Sequence, residues 1–185
     1  MKSSSLAIGQ SVLAIVDVQE AFRSAIPDFA LVASRIALAG RAFSILGVPV
    51  LVTEQYPKGL GRTAEEILLS LPDGGTEYIE KSAFSALGAE VFVERLKSFG
   101  ANKVILCGVE THVCVLQSSL DLIEQGIEVH LLTDCVASRF EHDKQAGLAR
   151  MASGGVVSSS IEMALFELMK DSKHEKFKEI QGLIK

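Results

Sequence analysis

Five residues in the chain have the types and spacing that could do chemistry: Asp17, Lys81, Cys114, and the pair Cys107 and Cys135. Cys114 stands in Gly108-Val109-Glu110-Thr111-His112-Val113-Cys114, a loop that runs into a helical pattern. A thiol in a helix's first turn faces the positive end of the dipole, which favours the thiolate. Against this stands the ordinary role of Cys as a small buried hydrophobe, and both readings of Cys114 stay open on the residues alone. For Cys107, inside an apolar run, the packing role is preferred, and so it is for Cys135. Asp17 ends the apolar run Val12-Leu13-Ala14-Ile15-Val16, where a carboxylate is costly unless something uses it. In a pocket its pKa rises, and it becomes a proton acceptor for a thiol. The other reading is a structural acid paired with a helix start or a lysine. Lys81 follows Glu77-Tyr78-Ile79-Glu80 and could steady an ionised Cys/Asp pair, or simply be a solvated surface lysine.

His112 suggests a Cys/His dyad, but residues two apart on a helix do not face each other, so a lining role is preferred. His130, His142 and His174 form no metal spacing. No G-x-G-x-x-G, P-loop or G-x-S-x-G is present; Gly59-Leu60-Gly61 lacks the third glycine. Nucleotide binding, phosphoryl transfer and serine hydrolysis lose support accordingly.

These residues need a frame. The chain has 185 residues, so one compact domain over 1–185 is expected, with residues 170–185 as a peripheral helix, docked or frayed. Net charge is −5 with no basic block, which argues against nucleic acid. Apolar runs are too short for a bilayer span, and the serines and Asp17 spoil a signal-peptide core, so no membrane partner is expected. An odd, sparse set of 3 cysteines points to a reducing compartment, with the cytoplasm as the expectation.

Short apolar runs alternate with helical periodicity. Strands are expected at Val12–Val16, Val50–Thr53, Glu77–Glu80, Lys103–Cys107, Glu128–Leu132 and Val156–Val157. Helices are expected from Phe29 to Leu46, Ala89 to Phe99, His112 to Gln125 and His142 to Ala152, and from Ser160. Three S/T-x-x-E patterns (Thr63/Glu66, Ser138/Glu141, Ser159/Glu162) predict capping boxes, the first on a short helix ended by Pro72 and Gly74-Gly75. The alternation predicts an α/β fold: a doubly wound, Rossmann-like parallel sheet of about six strands with helices on both faces. Ligands of such sheets bind beyond the strands' carboxyl ends, where Asp17, Thr53 to Tyr56, Lys81, Val109 to Cys114 and Asp134-Cys135 all fall.

Five segments in this order resemble the isochorismatase-like cysteine hydrolases, in particular the small isochorismatase-domain proteins. They are Ile15-Val16-Asp17-Val18-Gln19, Val52 through Gly61, Lys81-Ser82-Ala83-Phe84-Ser85, Gly108 through Val115, and Thr133-Asp134-Cys135-Val136-Ala137-Ser138-Arg139. The resemblance covers roughly Leu13 to Leu168. It implies the isochorismatase-like hydrolase fold with a six-stranded parallel sheet, and a catalytic triad of Asp17, Lys81 and Cys114. It also implies a cis peptide at Val109–Glu110, turning the N–H groups of Glu110 and Cys114 toward one point as an oxyanion hole. The nicotinamidase branch binds a metal through Asp-x-His after the second strand. Here that stretch is Glu54-Gln55-Tyr56, so neither a metal nor a cofactor is expected. The isochorismate-cleaving branch, which works on a vinyl ether, does not need the cysteine, so Cys114 tilts the reading toward C–N hydrolysis of a small amide or ureide through a thioester. A vinyl-ether hydrolase and a non-catalytic binding or scaffold protein of this fold are the alternatives. From placement after the strands, the pocket is expected to be lined by Gln19, Phe22, Gln55, Tyr56, Leu60, Phe84 and His112. Family members are commonly dimers or tetramers, so a homo-oligomer is expected beside the small-molecule substrate.

Overall fold

The computed structural model describes residues 5–72 and 76–185. Six strands, β1 (Ser11–Val16), β2 (Val50–Gln55), β3 (Glu77–Lys81), β4 (Lys103–Val109), β5 (Glu128–Ala137) and β6 (Val157–Ser159), form one sheet. Their order is β3-β2-β1-β4-β5-β6 and every pairing is parallel. The chain winds outward from β1 to β3, returns beside β1 as β4, and winds outward the other way. The point where the order reverses therefore lies between β1 and β4, and a crevice opens beyond their carboxyl ends.

The helices are α1 (Phe29–Ile45), α2 (Pro57–Leu60), α3 (Glu65–Leu68), α4 (Glu90–Ser98), α5 (Leu116–Glu124), α6 (Glu141–Ser153), α7 (Ile161–Met169) and α8 (Phe177–Ile184). Alternation along β1 shows why both sheet faces are covered. Leu13 and Ile15 pack with α1, Ile67 of α3, α7 and Ile180 of α8. Val12, Ala14 and Val16 face the other way, onto Phe92 of α4, Leu116 and Leu122 of α5 and Met151 of α6. All six residues of β1 are buried, as its unbroken apolar run requires. The tail is docked through α8, whose Ile180 is fully buried. No helix among the described residues is long and apolar enough to cross a membrane.

The capping boxes fail in detail although the helices exist. Thr63 pairs with Gln19 in an isolated antiparallel bridge, and its hydroxyl donates to Glu54 instead of capping α3. Glu66 binds Arg23. Ser138 meets His112, and Phe140 stands at the cap position of α6. At α7 the cap is Ser160, whose Oγ accepts from Met163 N–H at 3.3 Å, one residue beyond the predicted Ser159. In the first two cases a long-range polar partner outcompetes the local one. The predicted stop at Gly74-Gly75 lies outside the described residues.

Candidate active site

Asp17, Lys81 and Cys114 come together, all buried, beyond the carboxyl ends of the strands at the β1/β4 reversal. Asp17 follows β1 directly with φ of 55°, a left-handed conformation that Asp tolerates better than most residues. Its N–H donates to the Thr53 carbonyl at 3.1 Å. The neighbouring strand closes in through Gly108, opposite Val16, where a Cβ would stand 2.1 Å from the Val16 carbonyl oxygen. Only glycine fits that approach, and its φ of 131° suits no other residue.

The carboxylate is held on both oxygens. Thr53 Oγ1 donates to Oδ1 at 2.7 Å, and Lys81 Nζ donates to Oδ2 at 2.6 Å. The Cys114 thiol lies beside the same carboxylate and interacts with it electrostatically. Asp17 and Lys81 form a buried ion pair whose side chains are 1% and 0% exposed. Lys81 Nζ is further surrounded by Gln55 Oε1 at 2.8 Å and the carbonyls of Ala83 and Phe84 at 3.0 and 2.9 Å. An ammonium has three N–H donors, so these acceptors saturate it.

Burial pushes the Asp17 carboxyl above its ordinary value, while Lys81, Thr53 and Cys114 pull it back. Burial, with the Asp17 charge beside it, pushes the Cys114 thiol up to about 12. Of the two readings left open for Cys114, the helix start alone does not make it a thiolate: burial and the neighbouring Asp17 charge push the thiol up, against the opposing pull of Lys81.

Cys114 is carried by a π-helical turn, Thr111–Val115, before α5, where the periodicity predicts a plain helix from His112. The Glu110 carbonyl accepts from Val113 N–H at 3.1 Å and Val115 N–H at 3.3 Å, passing over the N–H of Cys114. The Val109–Glu110 peptide bond is cis. One turn on, Ser118 Oγ accepts from Ala86 N–H at 2.8 Å, tying α5 to the loop that follows Lys81. From behind, α6 approaches through Gly147, where a Cβ would come within 3.0 Å of the His112 Cα.

The expected pocket residues divide. Gln19 is fully buried: its amide nitrogen donates to the Gln55 and Gly61 carbonyls at 3.0 and 2.7 Å, and its oxygen accepts from Gln55 N–H at 2.8 Å. It braces two loops and offers a substrate nothing. Gln55 is likewise engaged, between Lys81 and the Ser82 carbonyl. Phe22 packs toward the α1 side of the sheet. Tyr56 and Phe84, expected as walls, are 61% and 53% exposed. Leu60 is half-buried in α2, and half-buried His112 meets Ser138 Oγ through Nδ1 at 3.0 Å. Sequence reasoning missed Thr53 as a partner of Asp17; its signal was a hydroxyl closing the apolar run Val50-Leu51-Val52. It also missed Arg139, whose backbone N–H and Nε donate to Glu110 Oε2 at 2.9 and 3.0 Å. Among the described residues no group of three His, Cys, Asp or Glu is arranged to hold a metal ion.

The Isochorismatase domain model matches residues 11–162, a stretch that includes every residue of this site. The chain belongs to the isochorismatase family. It is 42% identical over 178 residues to isochorismatase domain-containing protein 1 of Danio rerio, covering 95% of this chain but 61% of that protein's length. Among solved structures it is similar to one described as the MAR1 ribonuclease of Caenorhabditis elegans, with TM-score 0.89, 36% identity, and coverage of 98% of this chain and 92% of the other. It is also similar to YcaC from Pseudomonas aeruginosa, solved with hexane-2,5-diol and covalent acrylamide, at TM-score 0.85, 26% identity and coverage of 99% and 93%. Family membership, with these neighbours, gives the chain the isochorismatase fold, and the chain spans about three fifths of the length of the first of these relatives.

Proposed function

We propose that the protein is a cysteine hydrolase that cleaves a C–N bond of a small, uncharged amide or ureide. The observation that carries this reading is a buried Asp17 carboxylate held by Thr53 Oγ1 and Lys81 Nζ, with the Cys114 thiol beside it. In the reaction the Cys114 sulfur attacks the carbonyl carbon as its proton passes to Asp17. The N–H groups of Glu110 and Cys114 receive the oxyanion. Asp17 returns the proton to the leaving amine, and water hydrolyses the thioester. Lys81 acts as a fixed cation that keeps Asp17 ionised in a buried setting. Its saturated ammonium leaves no donor for an anionic substrate, which favours an uncharged amide over a phosphodiester.

The test is ammonia or amine release from a panel of small amides and ureides. Turnover by the wild type and its loss in Cys114→Ala is the expected result. Full turnover in Cys114→Ala sinks the thiol mechanism, and vinyl-ether cleavage surviving that substitution would point to the isochorismate-type reaction instead.

A further inference from the structure

We infer that Arg139 is a positioning residue for the thiol site, acting through the carboxylate of Glu110; the inference rests on the cysteine-hydrolase reading and deepens it. The Glu110 side chain is 7% exposed, yet it reaches out to a residue whose own side chain is 49% exposed. The described hydrogen bonds to this carboxylate come from Arg139 alone, from its backbone N–H at 2.9 Å and its Nε at 3.0 Å, both on Oε2. Glu110 is where the nucleophile turn is hung: its carbonyl accepts from Val113 and Val115, on either side of Cys114, and its N–H is a proposed oxyanion donor. Anchoring the side chain therefore fixes the orientation of the residue that organises the turn. The adjacent Ser138 adds a second tie from the same segment, through His112. A surface guanidinium thus reaches a buried catalytic turn in a single step.

The chemistry allows a test that needs no knowledge of the substrate. Acrylamide adds to a thiol by forming a bond from sulfur to its terminal carbon. The C=C electron pair moves onto the carbonyl oxygen as an enolate, and the thiol proton passes by way of Asp17 to the α-carbon. Iodoacetamide alkylates the same thiol by displacing iodide, with little charge developing on its carbonyl oxygen. Both reagents need the same thiol and base, but only acrylamide draws strongly on the oxyanion donors. The ratio of the two modification rates at Cys114, read by peptide mass spectrometry, therefore isolates the donor geometry.

In Arg139→Ala the acrylamide rate is expected to fall about tenfold. That is less than the factor on the order of 10²–10³ for losing an oxyanion donor outright, because the backbone N–H still holds Oε2. The iodoacetamide rate is expected to stay within about twofold, with the thermal midpoint little changed, since a half-exposed side chain is removed. Arg139→Lys, which keeps the charge without the Nε geometry, should fall between the two. Arg35→Ala removes a nearby guanidinium bound to Asp134 rather than Glu110 and should leave the ratio at its wild-type value. Equal slowing of both reagents, or an unchanged ratio in Arg139→Ala, overturns the positioning role while leaving the hydrolase reading intact. If wild-type Cys114 reacts with neither reagent faster than Cys107 and Cys135, the thiol reading fails and this inference with it.

Discussion

Two buried lysine–carboxylate pairs lie at opposite ends of the same sheet, and only one of them is built like a reactive site. At the carboxyl ends, Lys81 meets Asp17 with both side chains essentially sealed from water. At the amino ends, Lys103, 4% exposed, lies 3.5 Å from Glu128, which is 24% exposed and accepts or shares a proton with His130 Nε2 at 2.7 Å. Both ends carry the cost of desolvating an ammonium. What differs is what the chain does next. Lys103 and Glu128 are the first residues of β4 and β5, held in regular register with each other. Asp17 and Cys114 come after their strands, where a parallel sheet leads into turns and helix starts with free N–H groups. The carboxyl-end pair has a thiol on its anion and a turn organised around it, whereas the amino-end pair is closed by a strand ladder. A buried ion pair is therefore a weak sign of function by itself; its place on the sheet and the nucleophile beside it decide.

The sharpest way to break this contrast is to neutralise Asp17. Asp17→Asn removes the proton acceptor while keeping the side chain's shape, and it leaves Lys81 with Gln55 and two backbone carbonyls. Modification of Cys114 by acrylamide at neutral pH is expected to slow by on the order of 10²–10⁴. A variant that reacts at the wild-type rate would show that the carboxylate is structural at both ends of the sheet.

Lys81→Met should have a smaller effect, of a different kind. Lys81 lowers the Asp17 pKa against the upward push of burial, so without it the carboxyl rises further. Asp17 works as a base only when ionised. The acid limb of the rate–pH profile should therefore move to higher pH, with a loss on the order of tenfold at neutral pH that recovers as the pH is raised. A uniform loss at every pH would instead mean that the lysine only braces the loop through Ala83 and Phe84. The thiol moves the same way: burial pushes Cys114 up to about 12 and Lys81 pulls it down, so losing Lys81 carries it further from the ordinary working range, and the acid limb is the one that reports the change.

Legibility in the sequence follows the same division. The inner strands were readable because they carry short apolar runs in a sheet covered on both faces, and β1 is buried at every position; the edge strand β3, Glu77–Lys81, carries no such run. Asp17 and Lys81 were readable as charges at the ends of such runs, and Cys114 by its place after Gly108. The capping boxes misled because Thr63 and Ser138 found partners outside their helices, Glu54 and His112, 9 and 26 residues back, which no capping pattern encodes. The two readings of Cys114 stayed open for a similar reason. The helix start is local and visible in sequence, while the burial that pushes the thiol up is set by the fold, and the carboxylate that adds to it comes from 97 residues away. Gln19 and Gln55 looked like pocket groups because their positions are right; the Gln19 amide is taken up by the backbone of Gln55 and Gly61 and the Gln55 amide by Lys81 and Ser82, pairings set only by the fold.

The smallest expected effect completes the comparison from the other end. Lys103→Met replaces a buried ammonium by an apolar chain of similar length, next to a carboxylate that still has His130 and partial access to water. Removing one member of a sealed pair costs about 3–5 kcal/mol because the other charge is left uncompensated; Glu128 keeps His130 and water, so the loss here should be no more than about 1–2 kcal/mol. The site lies at the opposite ends of the strands, and no residue of the Lys103 pair touches Asp17, Lys81 or Cys114 in the described hydrogen bonds and ion pairs. The acrylamide and iodoacetamide rates at Cys114 should therefore stay within about twofold of the wild type, as for a substitution independent of the site. Denaturant unfolding and thiol modification on the same preparation check both halves. Slowed modification in a variant of unchanged stability would mean that the two ends of the sheet are coupled through β4, the strand that carries Lys103 at its start and leads to Cys114 beyond its end.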